Sequence, residues 1–163
     1  METESEPKRK NNEFSEDEKR ANVIRLAFKG DEQRFQEFCT AVREAVPEAH
    51  AAVVRGSAVS GYRWNDGAPF DADGPGTSDI DLNLVGGEVL RYYTLEGCYI
   101  PGLHSMPLCE EHPDIAPDLL PLRERLMKIV GRPVNIQASS DWVQYVRGDV
   151  LGQPYFTLFR AVE

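Results

Sequence analysis

The chain has 163 residues, 41% of them hydrophobic, enough for one domain with a real core. Asp and Glu outnumber Lys and Arg by 27 to 18, a net charge of −9, and the basic run Lys8-Arg9-Lys10 lies among acids, which excludes groove binding to duplex nucleic acid. No stretch approaches the ~18 apolar residues of a membrane helix, no apolar signal core opens the sequence, and Cys39, Cys98 and Cys109 form no CxxC or disulfide framework, so a cytoplasmic, non-membrane protein is expected.

Residues 1–14 are polar apart from Met1 and Phe14, and are expected to form a disordered tail. The single domain then runs from 15 to 163, with helices over 15–46 and a core over 51–160. Ser15 and Glu18 have capping-box spacing, which predicts a helix with Ala21, Ile24, Ala27 and Phe28 inward and Gly30 at its end. Asp31 caps a second helix whose apolar face is Phe35, Phe38, Cys39 and Val42, stopped at Pro47.

Residues 51–55 read as a short strand broken by Gly56-Ser57. A long loop rich in Gly, Pro and Asp follows. From 79 to 85 the pattern alternates strictly, with Asp79, Asp81 and Asn83 on one face and Ile80, Leu82 and Leu84 on the other. Residues 88–100 fit neither period well and lean towards strand. Five of the chain's 11 prolines fall in 101–121, which predicts a long loop without regular structure. Asp118 is placed to cap a helix with Leu119, Leu122, Leu126, Ile129 and Val130 inward, ended by Gly131. Residues 133–138 alternate again, with Val134 and Ile136 one way and Asn135 and Gln137 the other. Ser140 or Asp141 caps a short helix, and 155–159 form a last strand. The expected fold is α/β or α+β, a mixed sheet of about four to five strands with helices on one face and the Asp strand near its centre.

Two carboxylates at i and i+2 on a strand share a face, with Cβ atoms about 6–7 Å apart. Such a pair is costly unless a cation stands between them, and Mg²⁺ takes hard oxygen ligands of this kind. A strand that ends in Gly-Ser and turns into a helix offers bare backbone N–H groups and a hydroxyl, a place for phosphate. A phosphate cradle beside paired carboxylates is what phosphoryl transfer requires.

The combination of Gly56-Ser57 after an apolar strand with Ser78-Asp79-Ile80-Asp81-Leu82 resembles the nucleotidyltransferases of the DNA polymerase beta superfamily, its small members above all, over residues 51–160. That resemblance implies a Mg²⁺- (or Mn²⁺-) dependent enzyme that moves a nucleoside monophosphate from a nucleoside triphosphate to a hydroxyl of a protein, RNA or small-molecule acceptor. Asp79 and Asp81 would be the catalytic metal ligands. Gly56 and Ser57, with Arg55 and Ser78, would take the phosphates. Two departures stand out. The spacer holds an inserted loop over 62–76, and the position aligned with the family's third carboxylate is Asn135.

The second departure supports an alternative, a binding or regulatory module that has lost turnover and works with a protein partner, for instance as an antitoxin-like half of a pair. A plain structural domain ranks last, because it leaves the paired Asp residues unexplained. Several side chains keep two readings. Asn83 is a third ligand or a polar neighbour. Asn135 and Gln137 are a normal half-polar strand face, or amides that hydrogen-bond into the site. Arg55 and Arg63 bind phosphate or form surface ion pairs. Asp71 and Asp73 replace the missing carboxylate or solvate their loop. Tyr62 and Trp64 stack a base or, the better reading, anchor the loop. His104 and His112 receive no role.

Overall fold

The computed structural model describes residues 9–161. It is an α+β fold built on a mixed sheet of six strands: β1 (Ala51–Arg55), β2 (Ile80–Val85), β3 (Cys98–Ile100), β4 (His104–Ser105), β5 (Val134–Ser139) and β6 (Tyr155–Arg160). Their order is β3-β4-β5-β2-β1-β6, with β2 and β5 parallel and the other neighbours antiparallel. The Asp strand therefore lies inside the sheet between β1 and β5, as its alternation predicts. The sheet has more strands than expected because the Pro-rich stretch is not a plain loop. Gly102, at φ 79°, turns β3 back onto the two-residue β4, and Leu108 exchanges two backbone hydrogen bonds with Ile136. The strand leaning of 88–100 holds at its end alone, since Val89–Tyr92 forms a 3-10 turn.

Helices α1 (Glu16–Ala27), α2 (Glu32–Ala45) and α4 (Leu120–Val130) cover one face of the sheet. Ile80, Leu82, Leu84, Val134 and Ile136 meet Phe35, Phe38, Val42, Leu122 and Leu126 there, all buried. Burial of this kind stabilises by roughly 25 cal/mol per Å² of apolar surface. The α2 face is as predicted, and Ser15 and Asp31 cap α1 and α2 by accepting from the N–H groups of Glu18 and Arg34. The face of α1 holds at Ala27 and Phe28, with Ile24 partly buried, and departs from the expectation at Ala21. Lys19, Val23 and Ala27 are buried at i+4 spacing while Ala21 is exposed, because the Lys19 stem packs inward and its Nζ sits over the Tyr155 ring near Glu16. Asp118 does not cap α4. It lies in a 3-10 turn, Pro117–Leu119, that leads into the helix, while Gly131 ends α4 in the left-handed region as expected.

The tail expected over 1–14 is corrected where it is described, from residue 9 on. Residues 1–8 lie outside the described residues. Phe14 is buried, Asn11 pairs through its backbone with Gly152, and its side chain accepts from the Tyr155 N–H. Among the described residues no helix is long and apolar enough to cross a membrane.

The helices are not confined to one face. Helix α5 (Asp141–Tyr145), capped by the Ser140 hydroxyl, continues into a π-helical turn, Val146–Val150, on the polar face. Gln144 there accepts from the buried Asn83. The inserted loop is equally well fastened. The Asp71 carboxylate accepts from the N–H groups of Ser78 (2.9 Å) and Gly76 (3.2 Å) and from Arg132 Nη1 (2.8 Å). Arg132 also donates to the Ser78 and Leu26 carbonyls and lies over the Phe70 ring. Asp71 is thus neither loop solvation nor a stand-in for the missing carboxylate. It is the staple that holds Ser78 and, next to it, Asp79.

Burial opposes ionisation of Asp71, but the Arg132 hydrogen bond, the two backbone N–H groups and the charge of Arg132 outweigh it and hold the carboxyl down at about 2. This folded value lies below the ~3.9 of an unfolded Asp, so its contribution is complete above pH 4 and lost as pH falls from about 4 to 2. It amounts to about 2 kcal/mol. Asp71→Ala, which leaves Arg132 buried and unpaired, should cost about 3 kcal/mol at pH 7 in urea denaturation and flatten that acid limb. Asp71→Ala combined with Arg132→Met should recover much of the loss.

Candidate active site

Strand register builds the site. Asp81 on β2 stands opposite Arg55 on β1 and Asn135 on β5, so three side chains from three strands form one row across the polar face. Residues at matched positions of paired strands share a face, and the next row down is Val53, Asn83 and Gln137. Asp79 precedes β2 at the near end. The row floors a cleft of about 660 Å³, a size usual for small-ligand sites, walled by the inserted loop on one side and by the π-helical turn on the other.

Asn135 gathers the two carboxylates. Its Nδ2 donates to Asp79 Oδ2 at 3.0 Å and to Asp81 Oδ1 at 3.2 Å. The amide faces both acids at once, which takes the second of the two readings of this strand face. Among the described residues no third His, Cys, Asp or Glu joins the pair to form a metal-holding group. Asp81 is open to the cleft but enclosed on its flanks. Burial, and next to it the charge of Asp79, raises its carboxyl to about 6, against the Asn135 hydrogen bond and the charges of Arg55 and Arg147.

Gly56 follows Arg55 at φ 84° and ψ −154°, a conformation essentially reserved for glycine. A Cβ there would lie 2.9 Å from Asp81 Oδ2. The glycine is therefore required both by the turn and by the approach of the carboxylate. Ser57 opens α3 (Ser57–Ser60), a single turn whose dipole is small, and lines the cleft. Most of the positive charge in the cleft comes instead from arginines. Arg55 is 8% exposed and donates from Nη2 to the Gln153 side chain, while Nη1 has no partner. Burial, then the nearby Arg147, pushes its guanidinium down to about 9, so it stays charged at neutral pH.

Other candidates are placed as follows. Asn83 is buried and bonded to Ser139 and Gln144, which makes it a structural neighbour. The Ser78 hydroxyl lines the cleft and accepts from the Asp71 N–H at 2.7 Å. Arg63 pairs with Asp73 at 2.7 Å and with Asp66, as its ion-pair reading has it. Tyr62 and Trp64 line the cleft on the loop side, and Tyr62 is exposed rather than folded onto the core. The unforeseen residues are Arg147, Gln153 and His104. Arg147 Nη1 donates to Gln137 Oε1 and to His104 Nε2, both at 3.1 Å. Burial and the charge of Arg147 keep the His104 imidazole below its usual range, consistent with a ring nitrogen that accepts. No sequence pattern marked this corner; the structure shows that Gly148 leaves no room for a side chain against the Tyr155 ring.

No protein-family model, curated protein or solved structure matches this chain.

The raised Asp81 carboxyl has a definite sign for stability. Its folded value lies above the unfolded ~3.9, so ionising it opposes folding, and the penalty grows between pH 4 and 6 and is complete above. Asp81→Asn should therefore raise the melting temperature at pH 7 and leave it nearly unchanged at pH 4. A carboxyl-carbon NMR titration should show the Asp81 value fall in Asp79→Asn and rise in Asn135→Ala.

Proposed function

We propose that this chain is a nucleotidyltransferase of the DNA polymerase beta type. The observation that carries the reading is the convergence of Asp79 and Asp81 on Asn135, against Gly56 and within a cleft that holds Arg55 and Arg147.

The donor chemistry fits a Mg²⁺ or Mn²⁺ ion. Asp79 and Asp81 would hold it, and a half-turn of the Asn135 amide would present Oδ1 where Nδ2 now points, adding a neutral hard oxygen. Bound there, the ion would supply positive charge to the phosphates of a nucleoside triphosphate. The chain's own part is positioning, the main source of rate in this chemistry. Gly56 lets a phosphate approach the backbone, Ser57 offers a hydroxyl, and Tyr62 and Trp64 offer faces for a base to stack on.

The reaction places the acceptor hydroxyl on the α-phosphorus. An oxygen–phosphorus bond forms, the bond to the β-phosphate oxygen breaks, and pyrophosphate leaves. The hydroxyl's proton needs an acceptor. Asn135 takes none; of the carboxylates that line the cleft, Asp66 and Asp73 are paired with Arg63, so the Asp79–Asp81 pair is the candidate.

One observation favours a second reading. Asn135 satisfies both carboxylates by itself, so the site is also consistent with a degenerate, partner-bound module that keeps the geometry and not the turnover.

The deciding experiment incubates the chain with each of the four labelled nucleoside triphosphates and Mg²⁺ or Mn²⁺, and follows pyrophosphate release and label transfer to protein, RNA or small molecules. The enzyme reading expects transfer that Asp79→Ala and Asp81→Ala abolish and that Asn135→Asp raises, because general-base assistance is worth ~10²–10⁴-fold. Absence of transfer with all four nucleotides, in the parent and in Asn135→Asp alike, would favour the module.

A further inference from the structure

The chain is acidic, and many of its arginines find acids. Arg9, Arg20, Arg34, Arg63, Arg91, Arg125 and Arg132 all form ion pairs. Arg25, Arg43, Arg123 and Arg160 make no ion pair among the described residues but do not line the cleft; of the arginines that line it, Arg63 is paired with Asp73 and Asp66, and Arg55 and Arg147 are not. Among the described residues neither makes an ion pair, yet both face the cleft and one is more than nine-tenths buried. Their partners are neutral acceptors: Gln153 for Arg55, and Gln137 with His104 for Arg147. Neutral acceptors orient a guanidinium without cancelling its charge. Asp81 contributes at longer range only, since its Oδ1 is taken by Asn135 and its Oδ2 faces Gly56.

The placement of Arg147 is specific. It sits in the π-helical turn, a rare local geometry that tends to occur at functional sites. The turn closes onto β6 because residue 148 is glycine: a Cβ there would lie 2.3 Å from the Tyr155 ring. The Arg147 carbonyl then accepts from the Gln153 N–H, so the residue that orients Arg55 is tied to the residue that carries the second guanidinium. Arg55 lines the cleft, and its Nη1 is buried without a hydrogen-bond partner, which is costly as it stands. It becomes favourable once an anion accepts from it.

We infer that Arg55 and Arg147 form a binding site for a phosphate-class oxyanion on the wall of the cleft beside the Asp79–Asp81 pair. A guanidinium fork matches two oxygens of a tetrahedral anion, and charge-assisted hydrogen bonds of this kind are the strong ones. The choice of phosphate rests on the nucleotidyl-transfer reading. The charge balance and the open donor do not, and the site needs no metal. Two sources share the chemistry: the terminal phosphates of a nucleoside triphosphate, and a phosphate carried by the acceptor.

The test is calorimetric titration of the full chain, in EDTA, with inorganic pyrophosphate and separately with adenosine 5′-monophosphate. The parent should bind, and the tighter of the two ligands names the source. Arg147→Met should weaken binding at least tenfold, Arg147→Lys by less, and Arg125→Gln, which removes an equal charge from α4, not at all. Circular dichroism confirms that each variant is folded. Should Arg147→Met fail to fold, a loss of threefold or more in Arg147→Lys serves in its place. Equal binding by the parent and the folded Arg147 variants, or no binding by the parent at millimolar ligand, would overturn the site. Failure of the larger reading looks different: pyrophosphate binding that depends on Arg147, with no nucleotide ever transferred.

Discussion

Everything at the centre of this molecule depends on keeping two carboxylates together. Asp79 and Asp81 share one face of an interior strand, where their mutual repulsion at a few ångströms is of the order of 1–4 kcal/mol for effective dielectrics of 20–80. Three things offset it. The Asn135 amide donates to both, Arg55 and Arg147 add positive potential from the cleft walls, and the near end of the strand is pinned by the Asp71–Arg132 staple through Ser78. Each comes from a different part of the chain. The site is therefore a product of the whole fold, although its two acids are only two residues apart.

The same geometry explains why charge is so unevenly spent. The helical side is closed mainly with apolar side chains, the buried Lys19 beside Glu16 excepted. The polar face carries Arg55, Asp81, Asn135 and Gln137, and the buried Asn83 and Ser139 finish it with a neutral pair. A net charge of −9 would discourage an anionic ligand at long range. Arg55 and Arg147, which line the cleft without acid partners, make it locally positive, and the proposed phosphate site rests on that local sign.

Much of this was legible in the sequence. Strict alternation at 79–85 and 133–138 located both central strands, and the Ser15 and Asp31 caps located the first two helices. Gly56, Asp79 and Asp81 stood out because their spacing has a chemical meaning, and Asn135 because the family resemblance aligns it with a third carboxylate. What could not be read was held by contacts distant in sequence. The two-residue β4 is too short to leave a pattern among prolines. Lys19 turns inward only because Tyr155 meets it. Asp71 looked like loop solvation until Arg132, 61 residues on, closed on it. Arg147 belongs to a π-helical turn, for which no periodicity exists, and Gln153 to the irregular segment after it.

The central claim is that Asn135 and the two acids form one cation site, and the Asn135 side-chain amide reports on it directly. Its Nδ2 protons should be resolved in a ¹⁵N-correlated NMR spectrum of the parent chain. On titration with substoichiometric Mn²⁺, those protons should broaden at lower ion concentration than the side-chain amide of Gln33 on the exposed surface of α2, and Asp81→Asn should remove the difference. Broadening of Asn135 no earlier than Gln33 would contradict the claim.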